Sequence, residues 1–429
     1  MHYSVSLKNL ARMQLSAFVH QVELTSLGNI LITMKAKTNI TFMLLSRVHD
    51  VILHSTSYVK RRKTPSDDPK YSYINISPAL PMITVIAGKS NNTTKCKIIS
   101  LSDAISLERD VEFSTSKEDL KAGEPKWANY VKGCIANFPC TVPGFDAVIL
   151  STVPVGAGLS SSAALEVATY TFLEKLTGRV SKKQEEKALA CQRAEHEFAG
   201  VPCGIMDQFI SVMGQEDHAL LLDCRDLSTK QIPMYDINEF LFLITNSNTP
   251  HKLSSSAYCE RRDACYEAAK VLGKKSLREA TLDDLQVLEI QKMPEYVVKR
   301  ARHVITEIQR TVDAAAALEK DDFTKFGELM NQSHDSLQKD YEVSSVELDT
   351  LVSSAREVKG VLGSRLTGAG FGGCTVTLVR KDAVNEVIDV IKKRYPGKAT
   401  FYIAKPAGGA RYMSTDIAKS DFDSDIENA

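Results

Sequence analysis

Residues 153–165 read V-P-V-G-A-G-L-S-S-S-A-A-L, and the fold and function that we predict follow from this stretch. Residues 145–151 (F-D-A-V-I-L-S) alternate as a β-strand does, and apolar residues then recur at helical spacing up to Gly178. Glycines between a strand and a helix often form simple turns. Here three serines follow, and they place amides and hydroxyls at the positive end of a helix. The pattern therefore predicts a strand, a phosphate-binding turn and a helix.

The composition is that of an ordinary globular protein. The 429 residues exceed a typical single core and suggest two domains, with 43% hydrophobic and 25% charged residues. The 53 Lys and Arg residues balance the 53 Asp and Glu residues, so no overall charge attracts nucleic acid or an anionic membrane. We expect no nucleic-acid partner and no membrane partner, and we expect any polyanion to be bound locally.

Cysteine usage and hydropathy indicate the compartment. The nine cysteines are an odd number without a C-x-x-C pair, which indicates free or buried thiols rather than disulfides or a zinc site. No apolar run approaches the roughly 18 residues that a membrane span requires, and the start lacks the pattern of a signal peptide. We therefore expect a soluble protein in the reducing cytoplasm. We also expect it to act as a monomer.

The first 78 residues differ from the rest of the chain. They contain 10 Lys or Arg against 4 Asp or Glu, and a basic cluster at residues 60–63. A solvated loop or a poorly folded arm explains this cluster better than contact with nucleic acid or a membrane. We predict four segments: an atypical, partly disordered or mis-spliced segment 1–78, a nucleotide-binding domain 79–245, a C-terminal domain 246–412 and a disordered tail 413–429.

Mixed α and β elements follow from Ala79 onward. Ser344 and Glu347 have the spacing of a capping box ahead of one of the later helices. The predicted strands are 82–87, 95–100, 145–151, 219–224, 240–245, 374–379 and 400–404, and the predicted helices are one that opens at 127 and others at 165–176, 182–199, 297–318 and 384–391.

A second segment, residues 194–209 (A-E-H-E-F-A-G-V-P-C-G-I-M-D-Q-F), places Glu195 on a predicted helix and Asp207 just after a glycine-containing turn. One of them, Glu195 or Asp207, can hold a metal while the other handles a proton. Magnesium prefers carboxylate, hydroxyl and phosphate oxygens, so Glu195 and a serine of the first loop can bridge it to a nucleotide. We interpret His196 as packed or hydrogen-bonded rather than as a ligand.

These segments resemble the galactokinases, a branch of the GHMP family of small-molecule kinases. The phosphate loop P-x-G-x-G-L-S-S-S matches residues 154–162, and the third family motif T-G-x-G-F-G-G-C matches residues 367–374. Two further motifs are typical of galactokinases: C-G-I-M-D-Q-F at residues 203–209 and W-A-N-Y-V-K-G at residues 127–133. The resemblance extends from Ala79 to about Tyr402.

The resemblance implies both a fold and an activity. The fold is α/β (α+β), of the GHMP kinase type, with an N-terminal ribosomal-protein-S5-like domain, a C-terminal ferredoxin-like domain and the active site between them. The activity is phosphorylation of the C1 hydroxyl of galactose by ATP, with Mg2+ as cofactor, to give galactose 1-phosphate. Two alternatives stay open: an N-acetylgalactosamine kinase, and a galactose- and ATP-binding regulator with weak catalysis.

The resemblance also implies residue roles, position by position. Asp207 faces the anomeric hydroxyl as the catalytic residue, and Gly204 and Tyr258 help to hold the sugar. Ser162 and Glu195 surround the magnesium ion. The implied ATP-binding residues are Trp127 and Tyr130 beside the adenine and Gly156, Ala157, Gly158, Leu159, Ser160, Ser161 and Ser162 in the loop.

One family motif is not found. Galactokinases carry near their start a signature resembling G-R-x-N-L-I-G-E-H-x-D-Y, whose arginine lies against the catalytic aspartate. The nearest string, residues 37–40 (K-T-N-I), lacks the acidic and histidine residues. Three accounts compete: a mistaken or alternative exon, a relative that has lost catalysis, or another residue in place of the arginine. We favour the first, because the nucleotide loop, Glu195 and Asp207 are intact.

Overall fold

The computed structural model describes residues 42–49, 53–54, 74–102, 105, 108–201, 203–234, 237, 239–249 and 254–413. The side chains of residues 42–49, 53–54, 74–75, 254–259 and 413 lie outside this description. The predictions for the basic cluster at residues 60–63 and for the tail after residue 413 therefore fall outside the described residues.

The described residues form a mixed α/β structure with two sheets, one of nine strands and one of four. The helices are α1 Ala128–Asn137, α2 Ser161–Thr177, α3 Gln184–Ala194, α4 Met206–Met213, α5 Ser254–Val271, α6 Asp283–Ile290, α7 Glu295–Leu318, α8 Phe323–Lys339, α9 Val346–Arg356 and α10 Val384–Arg394. The strands are β1 Phe42–His49, β2 Leu53–His54, β3 Ile74–Ser90, β4 Lys95–Ser100, β5 Asp110–Ser114, β6 Phe145–Ser151, β7 His218–Asp223, β8 Ser228–Pro233, β9 Phe240–Asn246, β10 Val361–Leu366, β11 Cys374–Arg380, β12 Thr400–Ala404 and β13 Arg411–Met413.

Strand β3 is the spine of the larger sheet. It pairs with β7 up to Pro78 and with β6 from Thr84 onward, while β1 lies along its other edge. Proline cannot donate a ladder hydrogen bond, and Pro81 lies between the two pairings. The strand therefore changes partner at its prolines, and it is longer than the strand predicted at residues 82–87.

Helix α2 anchors the predicted phosphate loop to this sheet. Phe172 and Leu173 of α2 are fully buried, and the rings of Phe172 and of Phe145 in β6 pack edge to face with centroids 5.1 Å apart. Burying a side chain of this size stabilises a fold by about 1.5–3 kcal/mol. The strand and the helix on either side of the loop are thus fixed against one core.

The smaller sheet has the order β10-β11-β9-β12 and is antiparallel throughout. The sequence predicts a domain division after residue 245, yet β9 pairs with β11 and β12 and belongs to this sheet. Strand β13 returns to pair with β1 in the larger sheet. The domain boundary after residue 245 remains a prediction. The residues of a strand do not by themselves show which other strands it will pair with.

Two local predictions need correction. The helix predicted at residues 182–199 is α3 followed by a π-helical turn, Glu195–Ala199. The helix cap is Ser345, not Ser344, because the Ser345 side chain accepts the Leu348 N–H. The hydroxyl of Ser344 donates to Asp349 instead.

Two further findings concern the helices and the cysteines. No helix in the described part of the chain combines the length and apolar character needed to cross a bilayer. The eight cysteines whose side chains are described are free thiols, and six of them are buried.

Candidate active site

The predicted phosphate loop lies between β6 and α2. Gly156, Gly158 and Ser160 have positive φ angles of 72°, 77° and 57°. Glycine adopts this conformation without strain, whereas Ser160 pays a steric penalty that proteins tend to retain at functional sites. The first N–H groups of a helix have no partner within the helix. The loop therefore leads into the first turn of α2, whose backbone N–H groups can bind phosphate oxygens.

Buried apolar side chains hold the loop in place. Ala157 and Leu159 are buried in a hydrophobic cluster that also contains Phe242 of β9 and Cys374 of β11. Val155, by contrast, is 61% exposed. Ala157 and Leu159 therefore fix the loop to a core that both sheets share. The side of the loop that carries Val155 is exposed and accessible to a ligand.

A second glycine loop, residues 367–373, touches the first. A Cβ atom placed on Gly368 would lie 3.1 Å from the carbonyl oxygen of Gly158. A Cβ atom on Gly370 would lie 2.1 Å from the carbonyl oxygen of Val343, which also accepts the Phe371 N–H at 2.7 Å. Only backbone fits at these contacts. Loops from the two sheets therefore meet at one site, as the family resemblance implies.

Asp207 lies in the first turn of α4 and faces the first loop. Its carboxylate accepts a hydrogen bond from the side chain of Ser160. Burial raises the pKa of Asp207, and the hydrogen bond from Ser160 opposes this effect. A carboxylate with a raised pKa is a stronger proton acceptor once it is ionised. The geometry thus brings a potential general base to the phosphate loop.

Glu195 begins the π-helical turn and is buried. Burial raises its pKa, the charge of Asp207 adds to this, and hydrogen bonds from the side chains of Cys203 and Ser162 oppose it. Single π-turns occur frequently at functional sites. The structure therefore brings together Ser162 and Glu195, the two predicted magnesium ligands.

This pair fits magnesium chemically. Magnesium commonly takes one or two carboxylates and completes its shell with water and substrate phosphates. Among the described residues, no group of three or more His, Cys, Asp or Glu side chains is arranged to hold a metal by itself. A hydroxyl and a carboxylate beside a phosphate loop suit a metal that arrives with a nucleotide.

Trp127 and Tyr130 lie one helical turn apart at the start of α1. The Trp127 Nε1–H donates to the carbonyl oxygen of Glu108 at 3.2 Å. Burial and then the charges of Glu195 and Glu166 raise the pKa of Tyr130 to about 12. Tyr130 is therefore close to the carboxylates of the site, and the role of both aromatic residues beside adenine stays a prediction.

The remaining predicted residues are placed to different degrees. Gly204 is partly buried in the turn that precedes α4. Tyr258 lies on α5, but its side chain is outside the described part. A ring nitrogen of His196 lies 2.9 Å from the carbonyl oxygen of Cys203, which fits its interpretation as a hydrogen-bonded residue.

Two polar residues of the site carry no role in the sequence-based prediction. The amide nitrogen of Gln208 donates to Glu166 at 3.0 Å and to Glu195 at 2.9 Å, and all three side chains are buried. Glu166 lies on α2 between Leu165 and Val167, where its neighbours along the chain are apolar. A carboxylate among apolar neighbours needs a buried partner, and this is the signal that could have identified it.

The backbone also offers a candidate for the missing arginine. Arg47 on β1 pairs with Ile83 of β3. The Ile83 N–H donates to the hydroxyl of Thr152 at 2.9 Å, and Thr152 immediately precedes the phosphate loop. The backbone of Arg47 thus lies one strand away from the start of that loop. Arg47 is therefore a residue to test for the account in which another residue takes the place of the signature arginine.

Replacement of Gly158 by valine tests the loop. A β-branched residue is strained at a φ angle of 77°, and the backbone of Gly158 that would have to shift borders Gly368 of the second loop. We expect Gly158→Val to raise the Kd for ATP about tenfold or more, measured by calorimetry, since tenfold corresponds to about 1.4 kcal/mol. Gly178→Val is the matched control, because Gly178 has a φ angle of 71° but no atom within 4 Å of its Cβ position. Equal ATP affinity in both variants would contradict the loop assignment.

The chain is similar to known kinases along most of its length. It matches the "GHMP kinases N terminal domain" over residues 129–215 and the "GHMP kinases C terminal" family over residues 314–397. It is 50% identical over 341 residues to the galactokinase of Bos taurus, which covers 78% of this chain and 86% of the relative. The galactokinase of Homo sapiens is 49% identical over the same length and coverage.

Solved structures show the same relationship. The crystal structure of Lactococcus lactis galactokinase complexed with galactose has a TM-score of 0.80 and 30% sequence identity, and it covers 90% of this chain and 99% of its own. A mevalonate kinase has a TM-score of 0.58 at 18% identity, with 85% of this chain and 99% of its own covered. The second likeness shows the fold alone.

Proposed function

The chain belongs to the galactokinases of the GHMP kinase family, and from that premise we propose that it transfers the γ-phosphoryl group of ATP to the C1 hydroxyl of galactose at the two-loop site. One observation carries the assignment of residues. Asp207 contacts Ser160 and Glu195 contacts Ser162, so a potential base and a potential metal ligand meet the same loop.

The loop would bind the phosphates. The backbone at Gly156 and Gly158 can approach phosphate oxygens closely, and the unpaired amides of α2 can donate to them. The second loop, in contact with Gly158, would close this pocket. Phosphoryl transfer depends mostly on alignment and charge neutralisation, so these contacts account for a large share of the proposed catalysis.

Asp207 would accept the proton of the sugar hydroxyl. The hydrogen bond from Ser160 orients the carboxylate toward the loop where the γ-phosphoryl group is expected. The proton passes from the C1 hydroxyl to the Asp207 carboxylate as the oxygen attacks the γ-phosphorus. The bond between that phosphorus and the β–γ bridging oxygen breaks, and ADP leaves. Gly204, in the turn before α4, and Tyr258 would hold the sugar.

Ser162 and Glu195 would hold magnesium. When bound, the ion neutralises charge on the phosphates and draws them toward one geometry. The Glu195 carboxylate is fixed by side-chain hydrogen bonds from Cys203 and Ser162, so it is already oriented before a ligand arrives. Trp127 and Tyr130 are proposed to flank the adenine.

We expect galactose to be preferred over N-acetylgalactosamine by about tenfold or more in kcat/KM. Residues 203–207 follow the galactokinase form, and an acetamido group at C2 needs room that this form should not leave. A coupled assay of both sugars with Mg-ATP measures the ratio. Comparable values would favour the alternative of an N-acetylgalactosamine kinase.

The same assay tests the whole proposal against the alternative of a regulator. A kinase turns over galactose, whereas a regulator binds ATP and galactose in calorimetry without forming galactose 1-phosphate. If kcat falls in Arg47→Met while ATP affinity is kept, Arg47 replaces the signature arginine. If the unmodified chain is weak and a chain with the signature restored ahead of Leu80 recovers, the account of a faulty exon holds.

The proposal also includes the cellular compartment and the oligomeric state of the enzyme. We propose that it acts in the cytoplasm as a monomer on galactose and ATP. Its free thiols suit a reducing compartment.

A further inference from the structure

A single amide nitrogen joins two buried carboxyl groups behind the phosphate loop. Gln208 Nε2 lies 3.0 Å from Glu166 Oε2 and 2.9 Å from Glu195 Oε2. The primary amide has two N–H bonds, so each carboxyl group can receive one of them. The three residues come from α2, α4 and the π-helical turn and form one connected unit.

The orientation of the Gln208 amide follows from electrostatics. If the amide were flipped, its oxygen would face the Glu195 carboxylate, and two acceptors would repel each other in a buried place. With nitrogen toward the carboxyl groups, both contacts are favourable. The amide therefore has one stable orientation, and this orientation fixes Oε2 of Glu195.

This unit leaves two polar atoms unsatisfied. Within the described part of the chain, Glu166 Oε1 and Gln208 Oε1 are buried and have no hydrogen-bond partner. Each such atom typically costs about 1–3 kcal/mol. An apolar residue at position 166 would avoid this cost. The arrangement is therefore poorly explained by stability.

We propose that Gln208 and Glu166 are positioning residues that hold the Glu195 carboxylate in the orientation in which it takes a divalent cation. Glu166 anchors the Gln208 amide, the amide fixes Oε2 of Glu195, and the Ser162 hydroxyl contacts the same carboxylate. The inference rests on the proposed magnesium role of Glu195 and Ser162. Residues that orient a metal ligand commonly change metal affinity or activity 10- to 100-fold when they are replaced.

The unit also connects the metal ligand to the base. Asp207 and Gln208 are consecutive in the first turn of α4. Asp207 points to Ser160 of the loop, while Gln208 points to Glu195. One helical turn thereby sets the position of the proton acceptor and of the cation ligand together.

The test measures magnesium-linked nucleotide binding rather than turnover. The Kd for ATP of the full chain is determined by calorimetry without divalent cation and across a magnesium titration. In Gln208→Met, which removes both N–H donors at similar length, we expect the half-saturating magnesium concentration to rise about 10- to 100-fold, with the metal-free Kd unchanged. Glu166→Leu should show the same shift, and Glu166→Gln, which keeps an acceptor oxygen, should show a smaller one.

Glu174→Gln is the matched control. Glu174 is a second buried carboxylate on α2, it pairs with Lys187 at 2.9 Å, and it lies far along the helix from Glu166. This variant should lose stability without a change in the magnesium titration. A shift of similar size in Glu174→Gln would mean that general loosening of α2 causes the effect, and the inference would be overturned.

Glu195→Gln separates this inference from the proposal on which it rests. If Glu195→Gln loses magnesium-linked binding and the Gln208 and Glu166 variants keep it, Gln208 and Glu166 do not position the ligand. If ATP binding by Glu195→Gln still depends on magnesium as it does in the starting protein, the proposed metal site is wrong. The inference then fails with it. A parallel loss in all three positions, with Glu174→Gln unaffected, supports both.

Discussion

Asp207→Asn should lower kcat by about 10²- to 10⁴-fold, because a positioned carboxylate that takes a hydroxyl proton contributes a factor of this size. The amide keeps the shape and the contact with Ser160, but it cannot accept the proton. The Kd for ATP should stay close to that of the starting protein, because the nucleotide is held by a different segment. Steady-state kinetics and calorimetry measure the two quantities.

The pH dependence of kcat gives a second readout for Asp207. Burial raises the pKa of this carboxyl, and only the ionised form accepts a proton. The rate should therefore rise with pH through a range above that of an ordinary aspartate, and Asp207→Asn should lose this rise.

A control carboxylate lies close by. Glu197 is exposed and hydrogen-bonds to Asn137, on the same π-helical turn as Glu195. Glu197→Gln should leave kcat and its pH profile nearly unchanged. An Asp207→Asn variant that keeps the rate of the starting protein would rule Asp207 out as the base.

Glu307→Gln should lower the free energy of unfolding by about 3–5 kcal/mol, the typical effect of breaking a buried ion pair from one side. Glu307 on α7 is fully buried, with Arg310 Nε at 2.6 Å and Arg365 Nη1 at 3.5 Å. Burial raises the pKa of Glu307, but the charges of Arg310, His303 and Arg365 outweigh this and hold it below the usual range. The variant removes the negative charge that offsets the buried Arg365.

Denaturant unfolding measures the change and its pH dependence. A lowered folded-state pKa means that the stabilisation is present above the usual glutamate pKa and is lost as the pH falls through the folded-state value. The difference in the free energy of unfolding between Glu307→Gln and the starting protein should therefore become smaller at acidic pH.

Glu295→Gln is the control on the same helix. Glu295 is exposed, with its side chain 81% accessible, and pairs with Lys299 one helical turn away. Its replacement should leave the unfolding midpoint nearly unchanged. If Glu307→Gln and Glu295→Gln unfold at the same midpoint, the buried ion pair of Glu307 stabilises the protein no more than the exposed pair of Glu295 does.

The position of this ion pair connects stability to the site. Arg365 lies in β10, just before the second glycine loop, and its Nε–H donates to the carbonyl oxygen of Leu366. A weakened pair should therefore loosen the strand that delivers Gly368 to Gly158. Some loss of ATP affinity in Glu307→Gln would be consistent with this connection.

The sequence by itself determined the features that depend on neighbouring residues. The predicted strands at residues 95–100 and 145–151 have the observed bounds of β4 and β6, the second from its alternation, and the glycines and serines predicted the turn between β6 and α2. These features follow from backbone sterics and side-chain periodicity, which act over a few residues. Asp207, Glu195 and Ser162 were also identified from short stretches of the sequence. They were found because those stretches resemble motifs of a known family.

Only the tertiary structure decided which segments meet. It assigned β9 to the smaller sheet and brought Gly368 to the carbonyl oxygen of Gly158. It also brought Gln208 to Glu195, 13 positions away, and to Glu166, 42 positions away. A residue's own neighbours do not encode such contacts, because they depend on how whole elements pack. The chain's local pattern supplies the chemical groups of the site, and the packing of two sheets against one core sets the distances between them.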